Sequence, residues 1–410
     1  MRRRIIAPAG RTPHDHGAAP RRPRVHLRAW VCLALLVALS GVVWGLPREQ
    51  RAIASRTIAK STALPAALIA GRAVFPAPLT AARLPATPAA IVPTVAAQTG
   101  PTSLLPNELG LIPILMYHTF LPDSTSVWNR TPTAFRGDLA YLYAHGYYLT
   151  SMHQFVTGDL NIPAGKTPVI LTFDDGTESQ FRYLVHPDGT TTIDPNSAVG
   201  ILEEMIARHP DFGRAGVFYV PPPLPFSDDD NKHDQRRFGE AKLAWLVAHG
   251  YELGNHTLHH ANLATVTDEQ VRREIAGGED GLHHYVPGVP LETFALPYGA
   301  YPDHGDPTLL RHCTYQSHTY GYRAVLLVGA EAAPSPFDRR RDLFFTPCIR
   351  ATDAELGKWF GAYLDRYPAV RYVSDGDPAT VTIPATLTPA LRDKFDSTRL
   401  GGRRLVRYGP

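Results

Sequence analysis

The stretch "TPVILTFDDGTESQFRY", Thr167 to Tyr183, decides how this chain is read. Val169, Ile170, Leu171, Thr172 and Phe173 make a β-branched and apolar run without helical periodicity. Such a run predicts a strand covered on both faces, as in a parallel sheet. It ends abruptly in two carboxylates, Asp174 and Asp175, followed by Gly176. Adjacent carboxylates repel, and burying either one unpaired costs several kcal/mol. A metal ion is the most economical compensation, and the glycine lets the strand end turn sharply.

A second stretch, "YELGNHTLHHANL" from Tyr251 to Leu263, offers the other ligands. His256 and His260 are four apart, so a helical chain after the strand would set both imidazoles on one face. Two neutral imidazoles and one carboxylate make a common site for a divalent transition metal with open positions. On these residues alone, a solvated cluster of His256, His259 and His260 is the competing reading.

The flanking pattern alternates strands and helices. "IPILMYHTF" reads as a strand, and Phe135, Leu139 and Leu142 share one helical face that Gly146 terminates. "YLVHPDGTTTIDP" reads as a hairpin turning on Asp188-Gly189. Ser197 to His209 is a helix, "AGVFYV" a strand, "AKLAWLVAHG" a helix and "YELGNH" a short strand. Thr267 and Gln270 form a capping box for the next helix, and "TFALPYG" and "AVLLVG" are further strands. The alternation predicts an α/β fold with a parallel sheet under helical cover, with closure into a barrel as one outcome.

The N-terminal end reads differently. Eight arginines precede an apolar stretch from Ala29 to Leu46, "AWVCLALLVALSGVVWGL". Its length is about the minimum that spans a bilayer, and the basic flank predicts a cytoplasmic N-terminus and an exported remainder. The expected organisation is a basic cytoplasmic segment at 1–28, a signal anchor or signal peptide at 29–46, an Ala/Pro-rich linker at 47–106 and a catalytic domain at 107–410. An uncleaved anchor is favoured, and a buried core helix is the bland alternative. The net charge of +3 is concentrated before Ala29, which argues against a nucleic-acid-binding surface. Of the three cysteines, Cys32 lies in the apolar stretch, leaving Cys313 and Cys348 as one candidate disulfide in an oxidising compartment.

"TFDDG" followed by "HTLHH" resembles the polysaccharide deacetylase family, the NodB homology domain or carbohydrate esterase family 4. The resemblance runs from about Ile112 to Pro384 and includes "ILMYH", "AGVFYV" and "FALPYG" in the family's order. It implies a distorted (β/α) barrel of about seven strands with the site at the C-terminal strand ends. It also implies that Asp175, His256 and His260 hold the metal, expected to be Zn2+, with Co2+, Ni2+ or Mn2+ tolerated. Asp174 would be the general base on the attacking water, and the backbone N–H of Tyr298 would stabilise the oxyanion. Pro297 and Tyr298 match the family's groove wall, Thr257 the small hydroxyl that orients the histidine loop, and His259 reads as a rim residue. The expected activity is removal of N-acetyl groups from an extracytoplasmic amino-sugar glycan by an enzyme tethered to the membrane. A glycan-binding pseudoenzyme and an O-acetyl esterase are the alternatives.

Three departures qualify the match. The arginine that often opens the groove motif is replaced by Ala295, with Arg350 as a candidate substitute near Asp174. The late Leu-x-His that commonly supplies the general acid is missing, leaving Asp375, then Asp377 and His318, as candidates. The two core motifs are also unusually far apart. The excess lies in the hairpin around Asp188 and in "PPPLPFSDDDNKHDQRRFGEAK", which reads as a mobile flap or a tolerated surface insertion.

Overall fold

The computed structural model describes residues 104–228, 231–302, 306–329, 331–389 and 391–409. The expected membrane segment at 29–46, the basic segment at 1–28 and nearly all of the linker lie outside these residues. Among the described residues no helix is long and apolar enough to cross a membrane.

The strands are β1 (Ile114–Tyr117), β2 (Tyr147–Leu149), β3 (Thr167–Asp174), β4 (Tyr183–Val185), β5 (Thr191–Ile193), β6 (Val217–Val220) and β7 (Glu252–Asn255). They continue as β8 (Thr293–Ala295), β9 (Cys313–Tyr315), β10 (His318–Tyr320), β11 (Ala324–Leu326), β12 (Ile349–Arg350), β13 (Thr380–Pro384) and β14 (Arg404–Tyr408). Seven of them form a parallel sheet in the order β11-β8-β7-β6-β3-β1-β12, and β2 extends the first half of β3. The two edges meet through Thr346, just before β12. Its N–H donates to Val325 O at 3.0 Å and its carbonyl accepts from Leu327 N–H at 2.9 Å. A parallel ring with one weak seam is a distorted barrel, as the family resemblance implied.

Side-chain alternation sorts the core. Ile114, Met116, Ile170, Val217 and Tyr219 point into the ring, where they join Ala295, Leu326 and Cys348. Leu115, Tyr117, Leu171, Phe173, Phe218 and Val220 point outward to the helices. These helices are α1 (Pro132–Ala144), α2 (Met152–Thr157), α3 (Ala198–Arg208), α4 (Gly239–Ala248) and α5 (Asp268–Tyr285). Thr131, Ser151, Ser197 and Thr267 cap the starts of α1, α2, α3 and α5, and Thr267 makes the expected reciprocal box with Gln270.

The C-terminal part closes the opposite pole of the barrel. Glu108 accepts from Thr382 N–H at 2.7 Å and Tyr372 O–H at 3.0 Å, and Gly165 N–H, just before β3, donates to Ser374 O. The residues around Ser374 and Thr382 therefore sit where β3 begins, far from where it ends.

One expectation is corrected here. Cys313 and Cys348 are both free and buried in different clusters, one beside α5 and the other inside the barrel, so no disulfide joins them. The described residues of the long segment before α4 touch the domain at two points. Phe226 is fully buried with its N–H on Gly176 O, and Gln235 exchanges two hydrogen bonds with the backbone of Tyr183 on the β4–β5 hairpin.

Candidate active site

The strand register explains how the two aspartates divide. Ile170, Thr172 and Asp174 share the inner face of β3, so alternation sends Asp174 into the barrel mouth, where it is 5 % exposed. One of its oxygens, Oδ1, is buried without a hydrogen-bond partner. Asp175 instead takes a left-handed backbone, φ 77°, which turns its carboxylate away from the strand line. Gly176 follows with φ 57°, and a Cβ there would come within 2.7 Å of Val220 Cγ1, so only glycine fits the turn.

The turned carboxylate meets the two histidines. Asp175 Oδ1 lies 3.2 Å from His256 Nε2 and 3.2 Å from His260 Nε2. Side-chain donor atoms of the three residues all lie within 4.8 Å of one another. His256 Nδ1 lies 2.8 Å from Ala295 O; donating there fixes the tautomer that leaves Nε2 free to face Asp175. The spacing of the histidines is not helical, contrary to expectation. Residues 256–262 form a loop in which Thr257 and His260 have φ of 65° and 55°. Asn255 holds this loop: its Oδ1 accepts from Thr257 N–H, and its Nδ2 donates to Ile275 O and to Tyr322. Thr257 Oγ1 accepts from Ala261 N–H, so the small hydroxyl orients the loop.

Left-handed, non-glycine residues concentrate here: Asp175, Thr257, His260 and Tyr298 (φ 59°). Such conformations cost energy and persist only where surroundings enforce them, which is characteristic of functional sites. Tyr298 stands on the rim, 66 % exposed, its ring 4.8 Å from that of His260. Pro297 beside it is buried.

Charge follows from this geometry. Burial pushes the pKa of Asp174 up, against the charges of His118 and His256. Burial would also raise Asp175, but hydrogen bonds from His256 and His260 hold it well below the usual carboxylate range. For His256, burial is outweighed by the bond to Asp175 and the charge of Asp174, and the net direction is upward.

The other sequence candidates fall elsewhere. Asp375 is bonded by the hydroxyls of Thr380 and Thr382 at the opposite pole and cannot reach the site as a general acid. Asp377, in the same turn, accepts from Ala379 N–H with its side chain and from Thr380 Oγ1 with its carbonyl. His318 is exposed on the β9–β10 hairpin, whose Tyr320 bonds Asp280 on α5. His259 is tied to Glu274 through its N–H at 2.8 Å and Nδ1 at 3.0 Å, away from the metal candidates. Arg350 does not pair with Asp174. Its guanidinium stacks 4.3 Å over Trp128, and Asp174 makes no salt bridge with any Lys or Arg among the described residues.

His118 is the residue that sequence reasoning passed over. It lies within electrostatic reach of Asp174, Asp175, His256 and His260, and burial holds its pKa below the ordinary imidazole value. Its carbonyl accepts from Gln180 Nε2 at 2.7 Å and Thr177 Oγ1 at 3.3 Å, which ties it to the loop after β3. Only the strand pairing places it: β1 and β3 are parallel neighbours with Tyr117 opposite Phe173, so the residue after Tyr117 stands beside Asp174.

Residues 228–318, which include the histidine loop and "ALPY", match the family model described as polysaccharide deacetylase. That segment is similar to part of a polysaccharide deacetylase domain. Among solved structures, it is similar to the Streptococcus pyogenes deacetylase PplD at 20 % identity, with 58 % of this chain and 92 % of that one covered and a TM-score of 0.44. IcaB from Ammonifex degensii gives 20 % identity, 61 % and 97 % coverage and a TM-score of 0.44. A polysaccharide deacetylase from Bacillus cereus gives 19 % identity, 58 % and 64 % coverage and a TM-score of 0.42, so this chain spans less than two thirds of that protein's length.

Proposed function

We propose that this chain is a polysaccharide deacetylase, a metal-dependent hydrolase that removes N-acetyl groups from an extracytoplasmic amino-sugar glycan, such as peptidoglycan, a chitin-like oligomer or poly-N-acetylglucosamine. The observation that carries the reading is the convergence of Asp175, His256 and His260 on one point, with the buried carboxylate of Asp174, one oxygen of which has no partner, beside it. Two imidazoles and one carboxylate suit zinc or a similar divalent ion, and the Ala295 carbonyl already presents the lone pair of His256. Bound there, the ion would act as a Lewis acid on the acetamide carbonyl and on the attacking water.

The chain's own residues divide the remaining work. Asp174, buried beside the cluster, takes the proton of the water as it attacks the carbonyl carbon. The Tyr298 N–H would face the developing oxyanion, and the exposed Tyr298 ring would form a wall for the sugar, with Pro297 buried behind it rather than on the groove surface as the resemblance implied. The C–N bond then breaks, acetate leaves, and the amine of the sugar takes a proton. His118, the remaining imidazole beside Asp174, replaces Asp375 in that transfer: it takes up the proton that Asp174 drew from the water and passes it to the leaving amine. The apolar stretch at 29–46 would tether the enzyme outside the cytoplasm.

The test is acetate release by the purified full chain, loaded with zinc or cobalt, from N-acetylglucosamine oligomers, peptidoglycan and acetylated xylan, with chelated protein as control. Metal-dependent release from an N-acetylated glycan is the expected result; release from xylan alone would make the bond an ester. A glycan-binding role without turnover is the second reading, favoured by the lack of a cation on Asp174. Stoichiometric metal with no release from any glycan would establish it over the hydrolase.

A further inference from the structure

Lys242, on the inner face of α4, is fully enclosed and has no part in the proposed catalysis. Its Nζ donates to Phe226 O at 2.7 Å, in the long segment that precedes the helix. Burial pushes its pKa down to about 7 from 10.5, although the charges of Glu178 and Asp228 act in the other direction. Arg182 also lies within electrostatic reach and lowers it further. Holding an ammonium in such a place is costly, and an apolar side chain of similar length would avoid that cost. What the lysine supplies in return is a grip on one carbonyl.

The residue so gripped is constrained from every side. Phe226 has a left-handed backbone, φ 54°, although it is bulky and fully buried. Its ring packs against Phe181 and Phe218, with centroids 5.8 Å from each. Its N–H donates to Gly176 O at 2.8 Å. A conformation of this kind persists only where its surroundings enforce it. Phe226 therefore joins the ammonium on one side to the turn after Asp175 on the other. Gln180 fastens the same turn separately, donating to Asp174 O and, at 2.7 Å, to His118 O.

We propose that Lys242 is a positioning residue for Asp175: its ammonium fixes Phe226, and Phe226 fixes the Gly176 turn from which the Asp175 carboxylate meets His256 and His260. The segment before α4 is then part of the support of the site. This rests on the reading of Asp175, His256 and His260 as a metal centre, and the test separates the two.

Zinc affinity of the full chain is measured by competition with a chromophoric chelator. Thermal unfolding and amide hydrogen exchange, read by mass spectrometry, are recorded on the chelated protein. Wild type is compared with Lys242→Met, which keeps the length and removes the donor. A double variant, Lys242→Met with Glu178→Gln, also removes a carboxylate charge that the lost ammonium leaves behind, and Glu178→Gln alone is its reference. The expected result is a zinc affinity about tenfold lower whenever Lys242 is replaced, as for groups that orient metal ligands. Tm recovers in the double variant, while zinc affinity does not. Amide exchange quickens in peptides covering the Gly176 turn and Phe226 and stays unchanged in β1 and β8. The double variant keeps the test decisive should Lys242→Met alone fail to fold. Zinc affinity that recovers together with Tm would show that Lys242 only neutralises Glu178, and would overturn the proposal. If wild type takes up no zinc, the metal reading fails by itself. Faster exchange at Gly176 and Phe226 would then still support the hold on the turn, and unchanged exchange would refute it.

Discussion

Replacing Asp174 by Asn should separate stability from catalysis in a measurable way. The carboxylate is 5 % exposed, and its Oδ1 has no hydrogen-bond partner. An unsatisfied buried group of this kind costs about 1–3 kcal/mol. Asn keeps the shape and removes the charge, so the chelated variant should be more stable by about that amount, a Tm rise of roughly 2–10 °C for a domain of this size. The sign depends on pH. Burial raises the folded pKa above the ordinary 3.8, so the wild-type penalty is present above that value and disappears in acid as Asp174 takes up a proton. The advantage of the variant should shrink accordingly at low pH. Catalysis should move the other way, since loss of a general base costs about 10²- to 10⁴-fold in rate. Metal content should be retained, because Asp175, His256 and His260 are untouched. Thermal unfolding under chelator, metal analysis and acetate release test the three parts together. A variant that melts below wild type, loses its metal, or turns over at the wild-type rate would refute the assignment of Asp174 as a buried, unpaired base.

Other outcomes follow from the same geometry. Asp375→Asn should leave kcat unchanged because the residue lies at the opposite pole, whereas His118→Ala should lower kcat by about 10²-fold or more with metal still bound. In Gly254→Ala, the added Cβ would stand 2.2 Å from the Tyr219 ring inside the barrel, so denaturant unfolding should report a loss of about 1–3 kcal/mol or more and metal titration a weaker site at His256. Burial pushes Glu108 up to about 7 from 4.5, so stability should fall as pH rises through that window. Glu108→Gln should flatten this dependence, worth at most about 3 kcal/mol, in melting curves recorded across the range.

The local chemistry was legible in the sequence. The run Val169–Phe173 could only be a doubly covered strand, and its abrupt end in Asp174, Asp175 and Gly176 marked a place where charge had to be compensated. The alternation of strands and helices announced the parallel fold, and the Thr267 box and the Asp188-Gly189 hairpin were written in local residues. What the tertiary structure decided depends on contacts between residues far apart in the chain. It set which aspartate faces inward and which turns outward, through strand alternation followed by a left-handed Asp175. A loop held by Asn255 and Thr257, rather than a helix, brought His260 to His256. Asp375 was carried to the wrong pole and the two cysteines to separate clusters, because nothing near them in sequence records which end of the barrel the C-terminal segment will close. His118 stands between these cases: its residue type is ordinary, and only the pairing of β1 with β3 gives it a place beside Asp174.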